Sequence, residues 1–111
     1  MIDEFFIKRN DRRETLERIL KGSTGAIVDI SGAAVKFIMR ETLTGVIKIN
    51  SVATIVGAGT DGHVRYSWAA GDTDTAGLYD AEWQVTFADG TPQTFPNDGY
   101  LVVHILPDAG S

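Results

Sequence analysis

The chain has no cysteine, so no disulfide can close a loop and no thiolate can ligate a metal or attack a substrate. Its 111 residues suffice for one core and not two, and apolar packing alone must hold that core. No run of 18 apolar residues occurs, which excludes an ordinary membrane-spanning helix. Met1, Ile2, Asp3 and Glu4 lack the basic and apolar regions of a secretory leader, so the expectation is a soluble protein made in the cytoplasm. Basic residues are nearly missing from the second half. Residues 57 to 111 hold only Arg65 against eight acids, whereas residues 1 to 56 hold nine Lys and Arg against seven acids. That asymmetry suits contact between protein subunits, and it argues against a broad nucleic-acid footprint.

What is present is alternation with period two, the mark of half-buried strands. Val35, Phe37 and Met39 alternate with Lys36, Ile38 and Arg40. Ile47, Ile49, Ala53 and Ile55 share one parity. Val64, Tyr66 and Trp68 alternate with His63, Arg65 and Ser67. Leu101, Val103 and Ile105 alternate with Tyr100 and His104. In the longest run, Tyr79, Ala81, Trp83, Val85 and Phe87 face inward while Asp80, Glu82, Gln84 and Thr86 face out. Turn residues separate the runs at Ser31-Gly32, Thr44-Gly45, Gly57 to Gly62, Gly71 to Gly77, Asp89-Gly90 and Pro96 to Gly99. About seven to eight short strands at this spacing predict an all-β, antiparallel sandwich filling residues 1 to 111, with its core in 3 to 106 and a short tail at 107 to 111. The segment Glu14 to Gly22 admits a short helix through Leu16, Ile19 and Leu20. A strand is preferred, because so short a helix is marginal in water.

The acidic turn between Trp68 and Trp83 has two readings. Asp72 and Asp74 stand in D-x-D spacing that can begin a calcium loop, but Asp80 and Glu82 follow on a strand rather than at the offsets such a loop needs. Asp and Thr are also what a corner between strands requires, since their side chains bond nearby backbone N–H groups. The corner is the preferred reading, with no metal or other cofactor expected. Thr75 to Ala81 then resembles the tyrosine corner of immunoglobulin domains, with Tyr79 as anchor and Ala81 where a core cysteine would stand.

Chemistry finds little support. His63 and His104 fall on outward positions of different strands, no serine has a nucleophile motif around it, and no carboxylates pair across a cleft. Gly57 to Gly62 lacks the Lys and helix of a phosphate loop and reads as a flexible hairpin connection. Lys8, Arg9, Arg12 and Arg13 are interrupted by Asp11 and Glu14 without interleaved aromatics, so a docking patch for an acidic protein surface is preferred over nucleic acid. Trp68 and Trp83 face inward by parity, which disfavours a sugar-stacking platform.

Across about residues 3 to 106, the stretches DISGAAVKFIMR, INSVATIV, GHVRYSWAAGDTDTAGLYDAEWQVTFADG and QTFPNDGYLVVHI resemble the immunoglobulin-like module of tailed bacteriophages. That module occurs at the N-terminus of the upper baseplate protein of siphophages and as short free-standing phage structural proteins. The resemblance implies an immunoglobulin-like β-sandwich and a strand, turn and strand over Asp11 to Gly25. It also implies a non-enzymatic role in the virion. Because the sequence ends at Ser111, the expected role is a small adaptor of the tail, neck or baseplate, whose partners are other virion proteins in a symmetric multi-copy assembly. A capsid decoration protein and a weak glycan-binding adhesion module are the alternatives. The expected contact surfaces are Lys8, Arg9, Arg12, Arg13, the acidic 72 to 82 edge and two apolar residues taken as exposed, Ile38 and Val102.

Overall fold

A computed structural model describes residues 3 to 109. Two β-sheets face each other across a core in which Leu16, Ile30, Phe37, Met39, Val64, Tyr79, Ala81, Trp83, Val85, Leu101 and Val103 are almost completely buried. The larger sheet contains β1 (Asp3–Lys8), β3 (Ala34–Glu41), β4 (Ile47–Val52), β7 (Gly77–Thr86), β8 (Pro92–Phe95) and β9 (Leu101–Leu106). Its order is β1-β9-β7-β3-β4, with β8 also on β7. The smaller sheet is β2 (Leu16–Ile19), β6 (His63–Tyr66) and β5 (Thr54–Ile55), in the order β2-β6-β5. Both orders are those of an immunoglobulin-like sandwich. Among the described residues no helix is long and apolar enough to cross a membrane.

Alternation places these strands because one face of each must be dry. In β7 the register with β3 sets Phe37 opposite Trp83 and Met39 opposite Ala81, all inward, and Ile38 opposite Glu82 on the outer face. Three features depart from the expected layout. First, β1 runs parallel to β9, pairing Asp3 with Leu101 through Lys8 with Leu106, so the larger sheet is mixed rather than wholly antiparallel. Second, the run from Ile47 to Ile55 is divided: Ala53 donates its N–H to Val35 and the chain crosses from the larger sheet to the smaller one. Third, β8 and β9 are successive partners of the same long strand, β7, separated by residues 96 to 100 and a cis peptide at Phe95-Pro96. The segment from Leu16 to Ile19 is a strand, followed by a single bridge between Lys21 and Ile27 rather than a second full strand.

The glycine-rich connection from Gly57 to Gly62 joins the antiparallel pair β5 and β6, as the expected hairpin link should, but it is a packed seam rather than a free loop. Gly59 accepts from the Ile30 N–H at 2.9 Å, and Gly62 accepts from the Leu20 N–H at 2.9 Å. A Cβ on Gly62 would lie 2.9 Å from the carbonyl oxygens of both Leu20 and Val28, and its φ is +67°. Gly57 shares the positive φ, at +74°, but a Cβ there would meet nothing within 4 Å. Gly57→Ala should therefore cost only the left-handed backbone strain, about 1–2 kcal/mol. Gly62→Ala should cost roughly 1–3 kcal/mol more, since an overpacking clash with two backbone carbonyls is added. Denaturant unfolding of the two variants measures the difference, and equal stabilities would mean that the seam yields.

Candidate functional site

At one end of the sandwich the corner between β6 and β7 is held together by side chains that the alternation could not rank. The Tyr79 hydroxyl donates to the carbonyl of Thr75 at 2.7 Å, a tyrosine corner closed four residues upstream. Asp72 accepts from the Tyr66 hydroxyl at 2.5 Å and from the Ala69 N–H at 2.8 Å. Asp74 takes the Lys48 ammonium at 2.5 Å and the Thr75 hydroxyl at 2.9 Å. Both carboxylates are thus engaged with the fold, and among the described residues no group of three or more His, Asp or Glu is gathered as a metal would need. Burial, and then the bond to the Asp72 carboxylate, push the Tyr66 phenol above its ordinary range. Asp74 is held below the ordinary carboxylate value by Lys48 first and Thr75 second, while Asp74 in turn raises Lys48.

Thr73, between those two aspartates, belongs to the expected corner, but its bonds run to a distant loop rather than to nearby backbone N–H groups. It is 1% exposed, its hydroxyl donates to the Asp11 carbonyl at 2.9 Å, and its own carbonyl accepts the Asn10 N–H at 2.9 Å. Both ends of a buried polar residue are therefore spent on the loop that follows β1. The Trp68 indole N–H donates to the Glu14 carbonyl at 2.9 Å and fastens the far side of the same loop. Between these two attachments lies an open cleft of roughly 830 Å³. Phe6, Trp68 and Leu106 supply apolar wall; Lys8, Arg12 and Arg13 supply positive charge, with Asp11 and Glu14 beside them.

The expected contact residues divide accordingly. Lys8, Arg12 and Arg13 meet at this cleft, whereas Arg9 turns to Asp108, 3.6 Å away. Trp68 and Trp83 are both buried, as parity required, and Trp68 also forms cleft wall. Ile38 and Val102 are half-buried on the outer face of the larger sheet, which corrects their reading as exposed patches. Their register partners there are polar: Glu82 and Asn50 for Ile38, Asp80 and Glu4 for Val102. Exposed apolar side chains stand elsewhere, notably Leu43, Val46 and Ile47 at the β3–β4 turn and Ile27 before β3. His63 and His104 each face a glutamate, Glu17 at 2.7 Å and Glu4 at 2.9 Å. The basic and acidic halves of the sequence do not form opposite faces, because Arg9–Asp108, Arg40–Asp80 and Lys48–Asp74 pair one half with the other.

No protein family and no curated protein matches the sequence. Among solved structures, the chain is similar to the crystal structure of CopC from Methylosinus trichosporium OB3b. The TM-score is 0.54 at 12% identity, over 96% of this chain and 84% of that one. At so low an identity the likeness concerns the sandwich fold.

Two outcomes test the corner. Tyr79→Phe removes one hydroxyl bond and should cost about 1 kcal/mol, whereas Trp83→Ala empties the centre of the core and should cost about 3–5 kcal/mol. Chemical denaturation of both variants gives the comparison, and a Tyr79→Phe protein as stable as its parent would show that the bond is idle. The second outcome follows from the lowered Asp74. Because its folded value lies below the ordinary 3.8, the stabilisation it brings is present above that value and is lost as pH falls through the folded one. Melting curves taken between about pH 5 and pH 2 should show a shallower acid decline for Asp74→Asn than for the parent. Parallel curves would remove the Lys48–Asp74 contact from the account.

Proposed function

We propose that this chain is a non-enzymatic structural protein of a tailed-bacteriophage virion, an assembly component of the tail, neck or baseplate. The observation that carries the reading is the division of labour around the acidic turn. The part of the sequence with the most specific resemblance to the phage module, Gly71 to Trp83, includes a corner whose polar groups are bonded to the fold itself, with Thr73 and Tyr79 buried. Tyr79 bonds Thr75, Thr73 bonds Asp11, and Asp74 bonds Lys48. The corner is scaffold, and it positions the loop carrying Arg12 and Arg13 beside an apolar wall. An amphipathic surface of that kind suits contact with another protein, in which apolar burial supplies affinity and charge sets register.

The same cleft is the place where an adhesion role would have to operate, since Phe6 and Trp68 border it next to cationic side chains. Mass spectrometry of purified particles from cells expressing the protein separates the two. The expected result is the protein in stoichiometric amount in washed particles, with Arg12→Glu/Arg13→Glu folded but depleted from them. Absence from the particles, together with binding of the free protein to cell-wall glycan, would replace the virion reading by the adhesion one.

A further inference from the structure

The molecule is elongated, 46 × 24 × 22 Å, and its two ends differ in shape and charge. One end carries the open cleft with Phe6, Trp68 and Leu106 in its wall and Lys8, Arg12 and Arg13 at its rim. The other end is built from the segments 20 to 33 and 56 to 62, drawn together at the glycine seam, and 87 to 91, whose Ala88 Cβ would lie 3.5 Å from a Cβ on Gly32. Its exposed aliphatic side chain is Ile27, 54% exposed, whose Cγ2 would lie 3.3 Å from a Cβ on Gly62. The same segments carry the exposed carboxylates of Asp29, Asp61 and Asp89, against one cation, Lys21. Asp29 accepts the Ser31 N–H and hydroxyl, and Asp89 accepts those of Thr91; these bonds hold both carboxyls below their ordinary range.

From this pairing of an apolar projection in an acidic setting with an apolar-walled cleft in a basic one, we infer that the cleft receives the Ile27 end of a second copy of this chain. The inference rests on the assembly reading above and names a partner for it. The contact is heterologous, joining two different surfaces, so each added copy leaves one free cleft and one free Ile27 end; such a contact builds rings or filaments according to its rotation. The rim is not purely positive, because Asp11 and Glu14 lie in it. Charge therefore selects the orientation, and the apolar contact supplies most of the affinity. Size sets the strength. An end-on contact is bounded by the 24 × 22 Å cross-section, about 500 Å² a side and about 1,000 Å² in total, at the low end of specific interfaces. Copies held side by side on a particle raise their effective concentration and offset that weakness.

Sedimentation velocity of the purified chain over a wide concentration range, at low and at high salt, tests this with two folded variants. One, Arg12→Glu/Arg13→Glu, disables the cleft; the other, Ile27→Lys, disables the projection. The parent should show sedimentation coefficients that rise with concentration and fall back with salt. Each variant alone should lose the concentration dependence. Their equimolar mixture should form a dimer and nothing larger, because one intact cleft and one intact projection remain between them. A parent that stays monomeric at every concentration, or variants whose mixture stays monomeric, would overturn the inference. If either variant melts early, Lys8→Glu and Asp61→Lys replace the two. The outcome is separable from that of the particle experiment, since a protein present in particles but monomeric throughout would refute this contact and leave the virion reading standing.

Discussion

Phe37 is the residue on which the sandwich turns. An immunoglobulin domain ordinarily fastens its two sheets with a disulfide, and here Ala81, fully buried on β7, stands where the resemblance places one of those cysteines. The fastening is aromatic instead. Phe37 on β3 stacks on Tyr66 from the opposite sheet, with centroids 4.6 Å apart and planes at 22°. It also meets Trp83 at 5.0 Å and the edge of Trp68 at 5.9 Å. Trp83 is the register partner of Phe37 within the larger sheet, so the contacts that cross between the sheets are those to Tyr66 and Trp68. At about 0.5–1.5 kcal/mol each beyond simple burial, these two reach only the lower part of the range of about 2–5 kcal/mol that a native disulfide contributes. A protein without cysteine can therefore keep this architecture, provided the ring at position 37 is large and flat.

The consequences run outward from that ring. Tyr66 has its face on Phe37 and its hydroxyl on Asp72, so the core positions the corner directly. The corner carries Thr73, which holds the loop after β1 at Asn10 and Asp11, and Trp68 holds it again at Glu14. The shape of the cleft is thus inherited from the core through a short chain of bonds. Side-chain bonds among Arg40, Tyr100, Thr42 and Asp80 on the outer face of the larger sheet have no part in that chain.

Which parts of this were legible before folding follows from the physics of each signal. Strands with one wet and one dry face write themselves as alternation, and β3, β6, β7 and β9 were all readable, as was the inward direction of Trp68 and Trp83. Strand β1 was not readable from alternation. It is an edge strand lying parallel to β9, and Phe6, outward by parity, stacks on His104 at 4.2 Å instead of giving way to a polar residue. The division of 47 to 55 was invisible for the opposite reason. One parity continues from Ile49 to Ala53 while the chain changes sheets, so the pattern shows no break where the hydrogen bonds do. Thr73 was readable as a corner residue but not its partners Asn10 and Asp11, because parity has no meaning inside a turn and a contact 62 residues away leaves no local pattern.

Charge was the least transferable of the sequence signals, and its failure is instructive about function. Counting by halves suggests a basic face and an acidic face, but a sandwich interleaves strands from both halves, and Arg9–Asp108, Arg40–Asp80 and Lys48–Asp74 consume much of the imbalance internally. What survives is set by the loops, because loop ends are where side chains have no register partner to neutralise them. Lys8, Arg12 and Arg13 remain at one end beside Asp11 and Glu14, and Asp29, Asp61 and Asp89 at the other. Asp29 and Asp89 are each bonded within their own turn, to Ser31 and Thr91, which fixes the carboxylates in place while keeping them ionised. In an elongated domain this residue of charge acquires a direction along the long axis. A direction, more than a net value, is what the proposed contact between copies draws on to fix its orientation.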